Sequence, residues 1–435
     1  MIIMNQNLKN AFVGIVLYGY ASLFGVWAET PANSYFIPFK IISTDIPAKE
    51  YSILSFGAST ESKDNTASIQ KTIDACATAG GGTVFVPTGT FLCGPITMKS
   101  NVNLFFSQGA VLRMLPYGIG NGIEPGTYPN NGKTDFYSHL ISGNKLDNIK
   151  ISGNGIIDGQ GNDWWSAYRA HNFKRGCLIR FDECNKIEIS GITLINAPNV
   201  HITVGRKSSD VIISKVTIKC PANGPNTDGI DVWAPNVKII DCNISCGDDN
   251  IAMDAGTQNI IIKRCEFGTG HGCSIGSYTK GIKNVLVDSC TFINTTAGIR
   301  LKSNRDRGGG EQNITYSNIT MTGVKNPIYI SSYYPKTPKI VAEDEAKGIT
   351  ETTPSWKHIL IKNVIIKDSE NAGIIWGLPE MPISDLIFDH VKISANKGFV
   401  INFANDVFFK NQSNIVITSG DIIRQYSSVI TGLTE

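Results

Sequence analysis

One short pattern returns along most of this chain: apolar, any, apolar, two polar residues, then apolar, any, apolar. Val285-Leu-Val-Asp-Ser-Cys-Thr-Phe292 and Ile314-Thr-Tyr-Ser-Asn-Ile-Thr-Met321 are two copies. Aligned on Cys290, the copies place Ile192, Val216, Cys242, Cys265, Cys290, Ile319, Val364 and Val391 in one column, at spacings of 24, 26, 23, 25, 29, 45 and 27 residues. The long gap holds a loop from Tyr333 to Lys357, rich in proline and charge. Apolar residues alternate within each copy, which is the period of a strand. Short strands repeated every two dozen residues, with Gly and Asn at the corners, predict an all-β, single-domain parallel β-helix. A leucine-rich repeat shares the period but needs a Leu-dense consensus that is absent here. The length of 435 residues would allow two or three domains, yet the continuous repeat argues for one solenoid. Residues one turn apart then lie about 4.8 Å apart in space.

Four polar clusters interrupt the repeat: Asn226-Thr-Asp-Gly229, Gly247-Asp-Asp249, Gly270-His-Gly272 and Arg300-Leu-Lys302. Asp228 to Asp249 is 21 residues, Asp249 to His271 is 22, and His271 to Arg300 is 29. At one turn per beat, three carboxylates, an imidazole and two cations share one surface. Glycoside hydrolysis needs one protonated carboxyl and one carboxylate that activates water or attacks the sugar. Crowding Asp228, Asp248 and Asp249 makes full ionisation costly, so one holds a proton at mildly acidic pH. Arg300 and Lys302 suit an anionic sugar. Strict alternation would hide one of Asp248 and Asp249, so both reach the cleft only if Gly247 breaks the strand. Asp231 reads as a corner residue bonded to the backbone.

This set resembles the polygalacturonase family of glycoside hydrolases (family 28), which are right-handed parallel β-helices. The resemblance runs from about Tyr51 to the C-terminus. It implies Asp248 as general acid, Asp228 and Asp249 as activators of water, inversion at the anomeric carbon, and His271 in the acid's hydrogen-bond network. It implies Asn226, Arg300 and Lys302 in the substrate site, with Tyr334 as a further contact and Tyr333 as its rival. Inversion implies acid and base carboxyls about 6.5–9.5 Å apart. No metal or cofactor is implied, and the substrate is an acidic pectic polysaccharide or oligogalacturonide. Leu301, where Ile is commoner, conserves shape. Rhamnogalacturonan and xylogalacturonan hydrolases are relatives. A Ca²⁺-dependent lyase and a non-catalytic carbohydrate-binding fibre are the competing uses of such a fold, and clustered Asp residues can ligate Ca²⁺.

Residues 1–28 read as a secretory signal: Lys9, an uncharged stretch from Ala11 to Trp27, and Val26-Trp27-Ala28 as the cleavage site. This places the protein outside the cell or in a periplasm, with no stable membrane span after cleavage. Residues 29–50 read as an extended lead-in and 51–435 as the catalytic solenoid. Tyr51 to Gly57 reads as a first strand. Asp64 and Asn65 cap a helix to about Ala79, with Ile69, Ile73 and Cys76 on the face that covers the first coil. Segments 116–137 and 159–176 read as long loops bordering the groove, the second carrying Trp164, Trp165, Tyr168 and Arg169 that stack on sugars or pack on the solenoid. His201 is a candidate substrate contact. Arg305 to Gly310 reads as a flexible cationic loop, and 335–354 as a second mobile one. The net charge of +2 makes any attraction for a polyanion local, to Lys280, Arg300, Lys302, Arg305 and Arg307, and no basic arm or motif points to nucleic acid. Ten cysteines in an exported chain invite disulfides such as Cys76–Cys93 or Cys177–Cys184. Cys242, Cys265 and Cys290 read instead as stacked thiols, because parallel side chains do not aim at one another.

Overall fold

The computed structural model describes residues 34–118, 139–172 and 174–433. The expected signal segment 1–28, the start of the lead-in and most of the 116–137 loop lie outside them. Each strand pairs in parallel with the strand one turn on. One column of partners runs Val211, Val237, Ile260, Val285, Ile314, Ile359, Leu386 and Val407. All eight are fully buried. Another runs Ile202, Ile230, Ile251, Cys273, Ile299 and Ile328, and its sheet carries the polar clusters on its outer face. The winding is that of a right-handed parallel β-helix, the hand that twisted parallel strands impose on their crossovers.

The Ile192-to-Val391 column is no more than 2% exposed anywhere. Directly before its members, Lys215, Asp241, Arg264, Ser289, Asn318, Asn363 and His390 all sit at φ between 53° and 56°. These left-handed residues turn the corner that sends the next side chain inward. L-residues resist that conformation by about 1–2 kcal/mol, so the buried column has to offset the cost. All ten cysteines are free and buried, so neither proposed disulfide forms, and Cys242, Cys265 and Cys290 stack as expected.

The N-terminal helix spans Thr66–Thr78, with Asp64 Oδ1 accepting from the Thr66 N–H at 2.8 Å and Ile69, Ile73 and Cys76 fully buried. Asn65 does not cap it and accepts from Ser59 instead. The first strand is shorter than expected, Glu50–Ser52. Ser52 then accepts from the Leu54 N–H and starts a 3₁₀ turn that ends on Gly57 at φ 95°. The 159–176 stretch is not a loop but contains a helix, Gly161–His171. Asp163 in its first turn and Arg169 and His171 in its last favour it through the helix dipole. Trp164 and Trp165 pack down on the solenoid, and Trp165 donates to the Ala197 carbonyl at 3.0 Å. No helix among the described residues is long and apolar enough to cross a membrane.

Residues 34–46 form a strap across the turns. Asp45 exchanges two hydrogen bonds with Asn148, Ile42 donates to Asp210, and Ile37 exchanges two with Asn284. Ser34 meets Thr315, and the Tyr35 hydroxyl donates to Asp385 at 2.6 Å. Asn148, Asp210, Asn284 and Asp385 are themselves left-handed corner residues, so the strap ties a column of corners lengthwise. A chain starting at Pro47 is expected to lose about 2–5 kcal/mol, several net hydrogen bonds minus the entropy of ordering the segment. The measurement is the urea midpoint, and an unmoved midpoint would make the strap energetically idle.

Candidate active site

Asp228, Asp248 and Asp249 come from the bends that enter strands Ile230–Val232 and Ile251–Met253. Stacking one turn upon the next brings an oxygen of each within 4.8 Å of the other two. Both aspartates of the Asp248-Asp249 pair contribute because residues 246–250 form a bend between strands. Gly247 is required by close approach, not by strand breaking: a Cβ there would lie 2.1 Å from the Gly224 carbonyl. Buried Thr227 fixes the spacing, donating to Gly224 and accepting from the Gly247 N–H. The nearest carboxylate oxygens, within 4.8 Å of one another, are closer than the about 6.5–9.5 Å expected between the carboxyl groups.

Asp249 is clamped. Lys302 Nζ stands 2.7 Å from one oxygen, while Arg300 Nη1 at 2.5 Å and Ser274 Oγ at 2.7 Å hold the other. Burial opposes ionisation, but Lys302 and Arg300 outweigh it and hold this carboxyl below its usual range. Asp228 is pushed well up, by burial first and then by Asp231, Asp248 and Asp249. The cluster therefore keeps one clamped anion and takes up a proton readily.

His271 sits between Gly270 and Gly272, both at positive φ. Its Nδ1 meets Thr296 Oγ1, and the Thr296 hydroxyl donates onward to the Gly270 carbonyl. Nδ1 is therefore the protonated nitrogen, leaving Nε2 as an acceptor 3.7 Å from Asp248 Oδ1. Burial and then Arg300 lower the His271 pKa, which keeps the ring neutral. Asn226 Nδ2 reaches the other Asp248 oxygen at 3.5 Å.

Tyr334 is the tyrosine at the site: Lys302 Nζ lies 5.0 Å and Arg300 Cζ 5.8 Å from its ring centre. Its rival Tyr333 is buried and bonds Asp344. Three expectations change. Asp231 does not cap a corner: it points outward from its strand, and its Oδ1 has no hydrogen-bond partner. His201 is fully buried and pushed down to about 4 by burial. It holds the Asp228 carbonyl at 2.8 Å through Nδ1, so it touches no substrate. The 305–310 segment is tied rather than loose, with Arg305 bidentate on Glu380 at 2.6 and 3.1 Å. Lys280 likewise pairs with Glu351 at 3.0 Å, so much of the expected cationic cluster is neutralised internally.

Two residues escaped the sequence reading. Ser274 pairs in register with Arg300 on the next strand, so counting outward-facing positions after His271 would have found it. Buried Arg175 lies 3.7 Å above the Tyr168 ring and donates to Asn226 Oδ1 at 2.8 Å. No local pattern signals it. Upstream of the triad the groove opens into cavities of about 520 and 410 Å³ that share Asp231, Asn199 and Val200.

The donor set does not suit a dication. Ca²⁺ would need six to eight oxygens, and two cationic side chains already occupy the space around Asp249.

The family model for glycosyl hydrolases family 28 matches residues 76–409. A probable polygalacturonase of Arabidopsis thaliana is 31% identical over 84% of this chain and 79% of its own length. An endo-polygalacturonase of Pectobacterium carotovorum is 33% identical over 72% and 80%. Among solved structures, the polygalacturonase of Erwinia carotovora superposes with a TM-score of 0.68 at 27% identity, over 91% of this chain and 99% of that one. An exopolygalacturonase of Thermotoga maritima shares the fold, with a TM-score of 0.67 at 22% identity over 90% and 94%. With its catalytic-type clusters stacked on one sheet and the family model spanning most of its length, this chain belongs to glycosyl hydrolase family 28.

Proposed function

We propose that this enzyme hydrolyses α-1,4-galacturonosyl bonds of pectin, with inversion. The observation that carries the reading is Asp249, a buried anion clamped by Arg300 and Lys302 beside two further carboxyls. Arg300 engages Asp249 through one nitrogen only, which leaves its remaining N–H groups for a uronate carboxylate. The protein would thus bind an acidic sugar against the same cations that keep its base ionised. Asp248 gives its proton to the leaving oxygen, with His271 and Asn226 orienting it. Asp228 and Asp249 orient the water and take its proton. Tyr334 completes the pocket, and Arg175 positions Asn226. The relatives in family 28 include both endo- and exo-acting polygalacturonases. Export of the protein fits a polymeric cell-wall substrate.

Burial and crowding at Asp228 favour a second assignment, in which Asp228 carries the proton and is the acid. Substrates with good leaving groups separate the two, because they need no proton from the enzyme.

The direct test is product analysis on polygalacturonate with and without a chelator. Saturated galacturonates in equal yield under both conditions are the expected outcome. Unsaturated, chelator-sensitive products would mean a lyase. Proton NMR of the first product should show the β-anomer. An α-anomer would replace the water mechanism with a covalent one, the outcome that the short carboxyl spacing alone suggests.

The pH dependence of kcat/KM should be bell-shaped. Asp249 is held down, so activity falls on the acid side only as this clamped carboxylate takes a proton. Burial and crowding hold Asp228 up, so where Asp228 carries the triad's proton, activity falls on the other side as pH rises and that proton leaves. A plateau extending without loss through alkaline pH would contradict a proton held by the triad.

A further inference from the structure

We infer that a cation-and-aromatic rail on the groove rim opposite the triad binds the acidic sugars flanking the bond that is cut. This rests on the polyuronate reading above and deepens it. The rail is built from the turns that leave the catalytic sheet: Arg206, Trp233, Tyr278 and Arg307. Arg206 Cζ lies 4.9 Å from the Trp233 ring centre, and Arg307 Cζ lies 4.6 Å from that of Tyr278. The two rings are 6.2 Å apart at 40°. Trp233 follows strand Ile230–Val232, the strand that Asp228 enters, and Arg206 and Trp233 line the cavity of about 410 Å³ together with Asp231.

Several arginines are neutralised by a carboxylate, and the two of the rail, like Arg175, are not. Arg180 is spent on Asp182, Arg264 on Asp241 and Arg305 on Glu380. Among the described residues neither Arg206 nor Arg307 has a carboxylate within ion-pair distance. Each is instead held against an aromatic face, which orients a guanidinium without neutralising it. The rail is also propped from below. Arg307 Nη1 donates to Ser277 Oγ at 2.8 Å, and the buried Asp254 carboxyl accepts from the Tyr278 N–H at 3.0 Å. A flat ring beside an unneutralised guanidinium suits a sugar that carries a carboxylate: the pyranose lies on the ring and the acid meets the cation. The rail therefore recognises a run of uronates, more than one sugar long.

The test compares Trp233→Ala and Arg206→Gln with the parent on trigalacturonate and on long polygalacturonate. Loss of one such contact should raise KM for the polymer about tenfold and raise it at least several-fold less for the trimer. Trp233→Phe, which keeps a ring, should recover most of the difference and controls for folding. Equal effects on both substrates would place these residues at the reacting sugar and overturn the rail, as would no effect at all. Binding of polygalacturonate and of its fully methyl-esterified form to Asp248→Asn protein supplies a readout that needs no catalysis. Preference for the acid form, lost in Asp248→Asn/Arg206→Gln, supports the rail, and equal binding of both polymers overturns it. Failure of the parent to cut polygalacturonate while this preference persists would sink the reaction and leave the rail standing.

Discussion

Asp248→Asn is expected to slow the cleavage of polygalacturonate about a thousandfold, within the usual range for loss of a general acid, while leaving the fold intact. The substitution is nearly isosteric, and the side chain is 28% exposed, so no buried charge is stranded. The amide can still accept the Asp249 N–H that now reaches Asp248 Oδ1 at 3.0 Å. What disappears is the proton for the leaving oxygen. A galacturonosyl fluoride needs no such proton, so the deficit should shrink sharply on that substrate. Asp228→Asn should behave in the opposite way, losing activity on both substrates because water activation is still required. If Asp228→Asn were the variant rescued by the fluoride, the acid and base labels would have to be exchanged. Loss of less than tenfold in Asp248→Asn on polymer would remove it from the reaction altogether.

Asp249→Ala should destabilise the protein by about 3–5 kcal/mol, as expected when one partner of a buried ion pair is removed. Lys302 is only 5% exposed, and without Asp249 its ammonium and the nearby Arg300 face each other uncompensated. Adding Lys302→Met to Asp249→Ala should return a large part of that loss. Replacing both charges with apolar groups removes the desolvation problem instead of halving it. Denaturant midpoints of the two single variants and the double form the cycle that measures this. Simple additivity of the two losses would show that the clamp does not act as a unit. Activity should be lost in all three variants, so the stability gain of the double variant would come with no function. That separation would identify the clamp as a feature kept for chemistry.

The architecture was legible because a solenoid writes its period into the sequence. The Ile192 column could be read by aligning eight copies, and each member proved buried at a corner. The triad was legible because stacking turns sequence spacing into distance: 21 residues from Asp228 to Asp249 is one turn. Features lacking that periodicity stayed hidden. The Gly161–His171 helix was read as loop because its aromatic residues carry no repeat signal, although its charges already favour a helix. Asp231 looked like a corner residue because strand and corner differ here by a few positions, and only the register of Ile230 and Val232 shows which way it points. The pairing of Arg305 with Glu380 joins residues 75 apart across an irregular loop, a contact no spacing rule predicts.

The strap has a consequence for how the protein is made. Residues 34–46 leave the ribosome early, yet Asn284, Thr315 and Asp385 emerge long afterwards. Until then the segment has only its Asn148, Glu188 and Asp210 anchors to hold. Full docking of the beginning of the chain thus reports that the far turns have been synthesised and wound. A chain that stops before Asn284 therefore leaves Ser34, Tyr35 and Ile37 without the partners that complete the strap.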